Sequence, residues 1–149
     1  MKKQFPSHIN EFFQSAVEKA EETLLKDGYH TPMCFVFANG KIIPYLCNYR
    51  TPDEKTKWFD GFREVLGEVA AQGTIFISEG WARDLSLGEH QTKKEALFII
   101  LSSCFGNKMV KIEYERGENE KIILGKQETT MNYCDNLIAP YFEQFMTSH

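Results

Sequence analysis

Residues Thr74 to Ser78, Thr-Ile-Phe-Ile-Ser, form a short run with an unbroken apolar centre. A half-buried strand would alternate apolar and polar side chains, and a helix would need roughly ten residues or more at 3.6-residue spacing. A run this short and uniform reads as a central strand covered on both faces. The rest of the chain must then supply flanking strands and a layer for each face.

Flanking strands are legible on both sides. Met33 to Ala38 and Lys41 to Cys47 are β-prone runs separated by Asn39-Gly40. That dipeptide suits a type I′ turn, in which both central residues take positive φ. Pro44 cannot donate a ladder hydrogen bond, so the second strand belongs at an edge or carries a bulge. After the central run, Glu95 to Cys104, Lys108 to Arg116 and Glu120 to Lys126 read as three strands. Turns at Gly106-Asn107 and Gly117-Glu118-Asn119 make them an antiparallel meander. In the middle strand Val110, Ile112 and Tyr114 alternate with Lys111, Glu113 and Glu115, giving one packed and one wet face.

Two amphipathic segments supply the layers. From Ser7, read as an N-cap, Ile9, Phe12, Phe13, Ala16, Val17, Ala20 and Leu24 fall at helical spacing, and Lys26-Asp27-Gly28 ends the helix. Thr51-Pro52-Asp53-Glu54 combines an N-cap threonine, proline at the first helical position and a glutamate able to close a capping box. Trp58, Phe59, Phe62, Val65, Leu66, Val69 and Ala70 then mark one apolar face, with Gly73 as the stop. Gly61 and Gly67 inside it cost about 1 kcal/mol each against alanine, a cost that a closely approaching backbone would explain. Gln127 to Asp135 reads as a polar connection, and Leu137 to Met146 as a short last helix with Pro140 in its first turn. The order is α-β-β-α-β-β-β-β-α. This is an α+β chain, residues 1–149 in a single domain, with one mostly antiparallel sheet of about five to six strands covered by two to three helices.

Composition excludes several function classes. The net charge of −4 argues against a nucleic-acid coat or an anionic-lipid binder. No apolar stretch approaches the ~20 residues of a membrane span. The opening, MKKQFPSHINEFF, has no apolar h-region or small-residue cleavage site, so no secretory signal is expected. Cys34, Cys47, Cys104 and Cys134 form no C-x-x-C pair and read as reduced, structural thiols of a cytoplasmic protein.

Chemical signatures are few. His8, His30, His90 and His149 form no H-x-H, H-E-x-x-H or deaminase pattern, so no zinc site is expected. There is no phosphate-cradling G-x-x-x-x-G-K-[ST] or G-x-G-x-x-G and no G-x-S-x-G elbow, and no cofactor is expected. Cys104 ends a strand with His90 upstream, but a packed cysteine and a surface histidine are the simpler account. Arg50, Lys55, Lys57, Lys93 and Lys94, with Tyr45, Tyr49 and Trp58, could outline a nucleic-acid groove; solvated charges beside an amphipathic helix explain them more simply.

The segment after the central strand is different. Glu79, Trp81, Arg83 and Asp84 stand just past the apolar run, and strand ends are where ligand groups gather. Trp81 could stack on a ring, Arg83 grip an anion, and Glu79 work with Glu95 as an acid-base pair. Glu79, Trp81, Arg83 and Glu95 are therefore the candidate ligand-binding residues. The competing account has Trp81 filling a gap, Glu79 pairing with Arg83 and Asp84 opening a turn. Residues 85–94, LSLGEHQTKK, read as an exposed connection.

The succession DGYHTPMCFVFANGKIIPYL, TIFISEGW and KEALFII, with Ser78-Glu79-Gly80-Trp81 as an S-E-[AG]-W strand end, resembles a group of small uncharacterised bacterial and phage-borne proteins. The resemblance spans residues 18–125 and implies no activity. In element order the chain is also similar to roadblock and profilin-like domains, with one strand more, which implies a dimeric interaction module. The leading expectation is a non-enzymatic cytoplasmic binding or assembly module, pairing with itself or a protein partner through a sheet edge or helix face. Its rival is a small hydrolase or transferase with a pocket around Glu79, Trp81, Arg83 and Glu95.

Overall fold

The computed structural model describes residues 6–82, 94–133, 138–139 and 141–142. The chain runs α1 (Ser7–Asp27), β1 (Met33–Ala38), β2 (Lys41–Leu46), α2 (Pro52–Glu68), β3 (Gly73–Ala82), β4 (Lys94–Ser103), β5 (Gly106–Arg116) and β6 (Ile122–Met131). The six strands form one antiparallel sheet in the order β2-β1-β3-β4-β5-β6. β3 lies inside it, paired with β1 and β4, and Thr74, Ile75, Phe76 and Ile77 are all buried. The fold is α+β, as the sequence implies.

Alternation along β3 divides the core between two helices. Ile75 and Ile77 join Leu97, Ile99, Val110 and Ile112 under the apolar stripe of α1. Phe76 joins Cys34, Val36 and Ile100 under Phe59, Phe62 and Leu66 of α2. Ile138 and Phe142 pack into this second cluster. The rest of the helix expected over Leu137 to Met146 lies outside the described residues.

Several boundaries differ from the sequence reading. Ser7 is the first helical residue of α1 rather than its cap; Pro6 holds the cap position, and its carbonyl accepts from the amides of Ile9 and Asn10 at 3.0 and 3.1 Å. Thr51 caps α2, its Oγ1 accepting from the Glu54 amide at 3.1 Å, while the Glu54 carboxylate accepts from the Arg50 amide at 2.7 Å. α2 ends at Glu68, before Gly73. The stop is Ala70, at φ 53°, with the Ala71 amide donating to the Leu66 carbonyl at 3.0 Å. Alanine here takes the left-handed place usually held by glycine. Gly61 and Gly67 face open space, so no neighbouring backbone accounts for them.

The β4–β5 turn falls at Cys104-Phe105, two residues before the expected Gly106-Asn107. Ser103 fastens it, its hydroxyl donating to the Gly106 carbonyl at 2.7 Å and accepting from the Phe105 amide at 3.1 Å. β6 continues to Met131, through residues expected to be a connection. It is the outer strand, wet along most of both faces, so no apolar alternation marks it.

Both sheet edges are blunted. Counted from the turn-closing pair Ala38↔Lys41, Pro44 falls at a position that does not bond to β1, so its missing N–H faces outward from β2. β6 carries one residue more than β5 between the pairs Ile112↔Gln127 and Tyr114↔Leu124, a bulge that interrupts the other edge.

Candidate functional site

The register of β3 against β4 decides the fate of the candidate residues. Glu79 lies opposite Leu97, and Trp81 opposite Glu95. Leu97 packs under α1, so Glu79 and Glu95 both belong to the α1 face at the same end of the sheet. Arg83 and His90 lie outside the described residues, so the Glu79–Arg83 pair and the Cys104–His90 pair are not among the contacts described.

Two residues that sequence reasoning did not single out complete the cluster. The Tyr114 hydroxyl donates to Glu79 Oε1 at 2.5 Å. Arg116, two positions further along the same face of β5, sets Nε 3.2 Å from Glu95 and a terminal nitrogen 3.7 Å from Glu79. A guanidinium N–H also donates to the Gly28 carbonyl at 2.8 Å. Gly28 stands in the left-handed conformation at the end of α1, where the helix dipole favours a cation. Burial, with the hydrogen bond to Glu79 next, pushes the Tyr114 phenol above the usual tyrosine range. The signal was present in the alternation Val110, Ile112, Tyr114, which extends to Arg116; the register that brings it to Glu79 and Glu95 was not.

Beside α1, on the same face, a groove of about 630 Å³ opens over β1 and β3. Phe12, Ala16 and Ala20 form its helical wall, and Met33, Phe35 and Ile77 its floor. Phe12 meets Phe35 and Phe37 edge-on at 5.2 and 5.5 Å between centroids, closing one end. At the other end stand Asp27, Tyr29, His30 and Thr31. His30 is only 7% exposed. Its Nδ1 lies 2.8 Å from the Thr31 carbonyl, which can only accept, so Nδ1 carries the proton. Beyond the groove, the β2 residues opposite Met33, Phe35 and Phe37 are Leu46, Pro44 and Ile42, and all three are exposed.

The other candidates fall into packing roles. Tyr45, Tyr49 and Trp58 are turned on one another and on α2: Trp58 stacks on Phe62 at 4.7 Å, and Tyr45 meets Phe62 edge-on at 5.5 Å. Burial pushes the Cys47 thiol up to about 12, against a slight pull from Lys55. Among the described residues, no group of three or more His, Cys, Asp or Glu side chains could hold a metal ion. No described helix is long and apolar enough to cross a membrane. No protein-family model, curated protein or solved structure matches the chain.

Proposed function

We propose that this chain is a non-enzymatic binding module whose ligand lies in the groove beside α1. The groove carries the reading: about 630 Å³ of mostly apolar wall with a few polar groups gathered at one end. Those are the proportions of small-molecule sites, which usually measure roughly 300–1,000 Å³. Glu79 and Glu95 support binding over catalysis, because both carboxylates face Arg116 and neither stands alone as a base. The blunted edges of the sheet favour the groove over strand pairing as the recognition surface. The buried thiol of Cys47 is consistent with a reducing, cytoplasmic compartment.

The test uses the apolar dye ANS. The native chain should bind it stoichiometrically. Ser15→Trp and Thr23→Trp place an indole on the lip of the groove at positions that are exposed and half-buried, so the fold survives. Both should lose the dye while keeping the wild-type urea midpoint. Dye retained by both variants, or none bound by the native chain, overturns the reading.

A further inference from the structure

We infer that Asn39 is a site of spontaneous covalent modification: the β1–β2 turn is poised to deamidate, with the Gly40 amide as nucleophile and water as the co-reactant. Three dipeptides in the chain place Asn or Asp directly before glycine, namely Asp27-Gly28, Asn39-Gly40 and Asp60-Gly61. The reaction needs the glycine nitrogen free to turn onto the preceding side-chain carbonyl carbon. The Gly28 amide is committed to the Leu24 carbonyl at 2.9 Å. Gly61 lies inside α2, where its amide serves the helical ladder. In the hairpin, by contrast, Ala38 and Lys41 form the turn-closing pair, and a two-residue loop leaves both of its own amides to solvent. Asn39 and Gly40 are both exposed, and nothing beyond the chain neighbours of Gly40 lies within 4 Å of where its Cβ would stand. Every other asparagine precedes a residue whose side chain crowds the attacking nitrogen.

The steps balance with water alone. Gly40 N, its proton lost to hydroxide, bonds to Asn39 Cγ; the Cγ–Nδ2 bond breaks, and the nitrogen leaves as ammonia with a proton from water. The five-membered succinimide then takes up one water at either carbonyl. Opening at Cγ gives aspartate, whereas opening at the main-chain carbonyl gives isoaspartate, in which the backbone runs through Cβ and Cγ. Either product adds one negative charge to a chain of net charge −4. Asp-Gly suits the same type I′ turn, whose left-handed residues stand here at φ 52° and 71°, so aspartate leaves the hairpin intact. Isoaspartate puts an extra backbone carbon into a loop that closes over two residues, and the pair Ala38↔Lys41 can no longer form as it stands. β2 joins the sheet through β1 alone, so this hairpin is the element that isoaspartate loosens.

The experiment incubates the native full chain at pH 8 and 37 °C and follows it by anion exchange and tryptic mass mapping, with electron-transfer fragmentation to separate isoaspartate from aspartate. The peptide from Asp27 to Lys41 should gain the mass difference between –OH and –NH2, located at Asn39, before any other peptide changes. Isoaspartate should be the major product, and its purified form should unfold at lower urea than the fresh chain. Asn39→Asp should keep the wild-type midpoint. Asn39→Gly, which leaves a dipeptide equally able to turn, should remove the acidic species. An Asn39 that stays intact in the folded chain while it reacts in urea, or another asparagine reacting first, overturns the assignment. Isoaspartate appearing first at Asp27 or Asp60 overturns the selection by free glycine amides. Equal urea midpoints for the isoaspartate form and the fresh chain overturn the loosened hairpin.

Discussion

Arg116→Met is the substitution that most directly tests how the far end of the sheet is held. The guanidinium touches β3 through Glu79, β4 through Glu95 and the end of α1 through the Gly28 carbonyl. The three side chains are 29%, 25% and 26% exposed, so solvent screens the network only in part. A fully exposed pair would be worth under about 1 kcal/mol and a charge-assisted bond in a drier site about 1.5–3 kcal/mol. One close carboxylate, one looser one and one carbonyl, discounted for that exposure, sum to about 3 kcal/mol. Methionine keeps the aliphatic stem, so the loss reports the charge rather than a cavity. Urea unfolding should show this loss with an unchanged slope, and the melting temperature should fall by about 6–12 °C. Glu95→Gln in the Arg116→Met background should cost much less than Glu95→Gln alone, giving a coupling of about 1 kcal/mol or more. A loss below about 0.5 kcal/mol, or additive single substitutions, would refute the network as the tie between α1 and the sheet.

Other substitutions address single residues. Gly61 is exposed inside α2 with open space where a Cβ would go, so Gly61→Ala should stabilise by about 1 kcal/mol in urea. Ala70 is the converse, a left-handed alanine at the end of the same helix, and Ala70→Gly should also stabilise the chain by about 1 kcal/mol in urea. The Cys47 thiol, raised by burial, should resist iodoacetamide in the native chain at pH 8 and react only with unfolding, as peptide mass mapping would reveal. Hydrogen bonds from Lys126 and Lys111 hold the Glu128 carboxyl below the ordinary 4.5. Its contribution is therefore present above that pH and lost as pH falls through the folded value; Glu128→Gln should show a shallower loss of stability across that window. Parallel acid-unfolding curves for variant and wild type would count against it.

What was legible in the sequence tracks what is buried on one side and wet on the other. The Asn39-Gly40 turn stands at φ 52° and 71°, as its composition implies, and Pro44 lies on an edge strand. Val110, Ile112 and Tyr114 face the core as their alternation requires. β6 beyond Lys126 was not legible, because an outer strand wet on both faces has no period to read. The end of α2 was missed for a different reason: exposed Ala70 takes, at φ 53°, a conformation that local propensity reserves for glycine, with the Ala71 amide closing on the Leu66 carbonyl. For the candidate site, Glu79 and Glu95 could be named from position, but their relation depended on register. A shift of one residue would have placed them on opposite faces. Arg116 entered only once that register brought β5 beside them.

The groove was illegible because it is made by what fails to touch. Phe12, Ala16 and Ala20 belong to the apolar stripe of α1, and Met33 and Phe35 to the core-facing side of β1. A periodicity argument assigns all five to packing, and by pattern that assignment holds. Whether two apolar surfaces meet depends on how far the helix stands from the strand. Ala16 and Ala20 are too small to bridge the space that Phe13 and Val17 fill one position away. The exposed Leu46 and Ile42 continue the same uncovered surface onto β2. Among the described residues, one helix of 21 residues covers part of this sheet face and leaves an apolar remainder beside it. Filling it from within separates the two accounts of that surface. Ala16→Leu should raise stability by about 1 kcal/mol while abolishing ANS binding if the gap is a real cavity. A loss of about 1–3 kcal/mol in unfolding free energy, as overpacking of a closed core gives, would refute the groove.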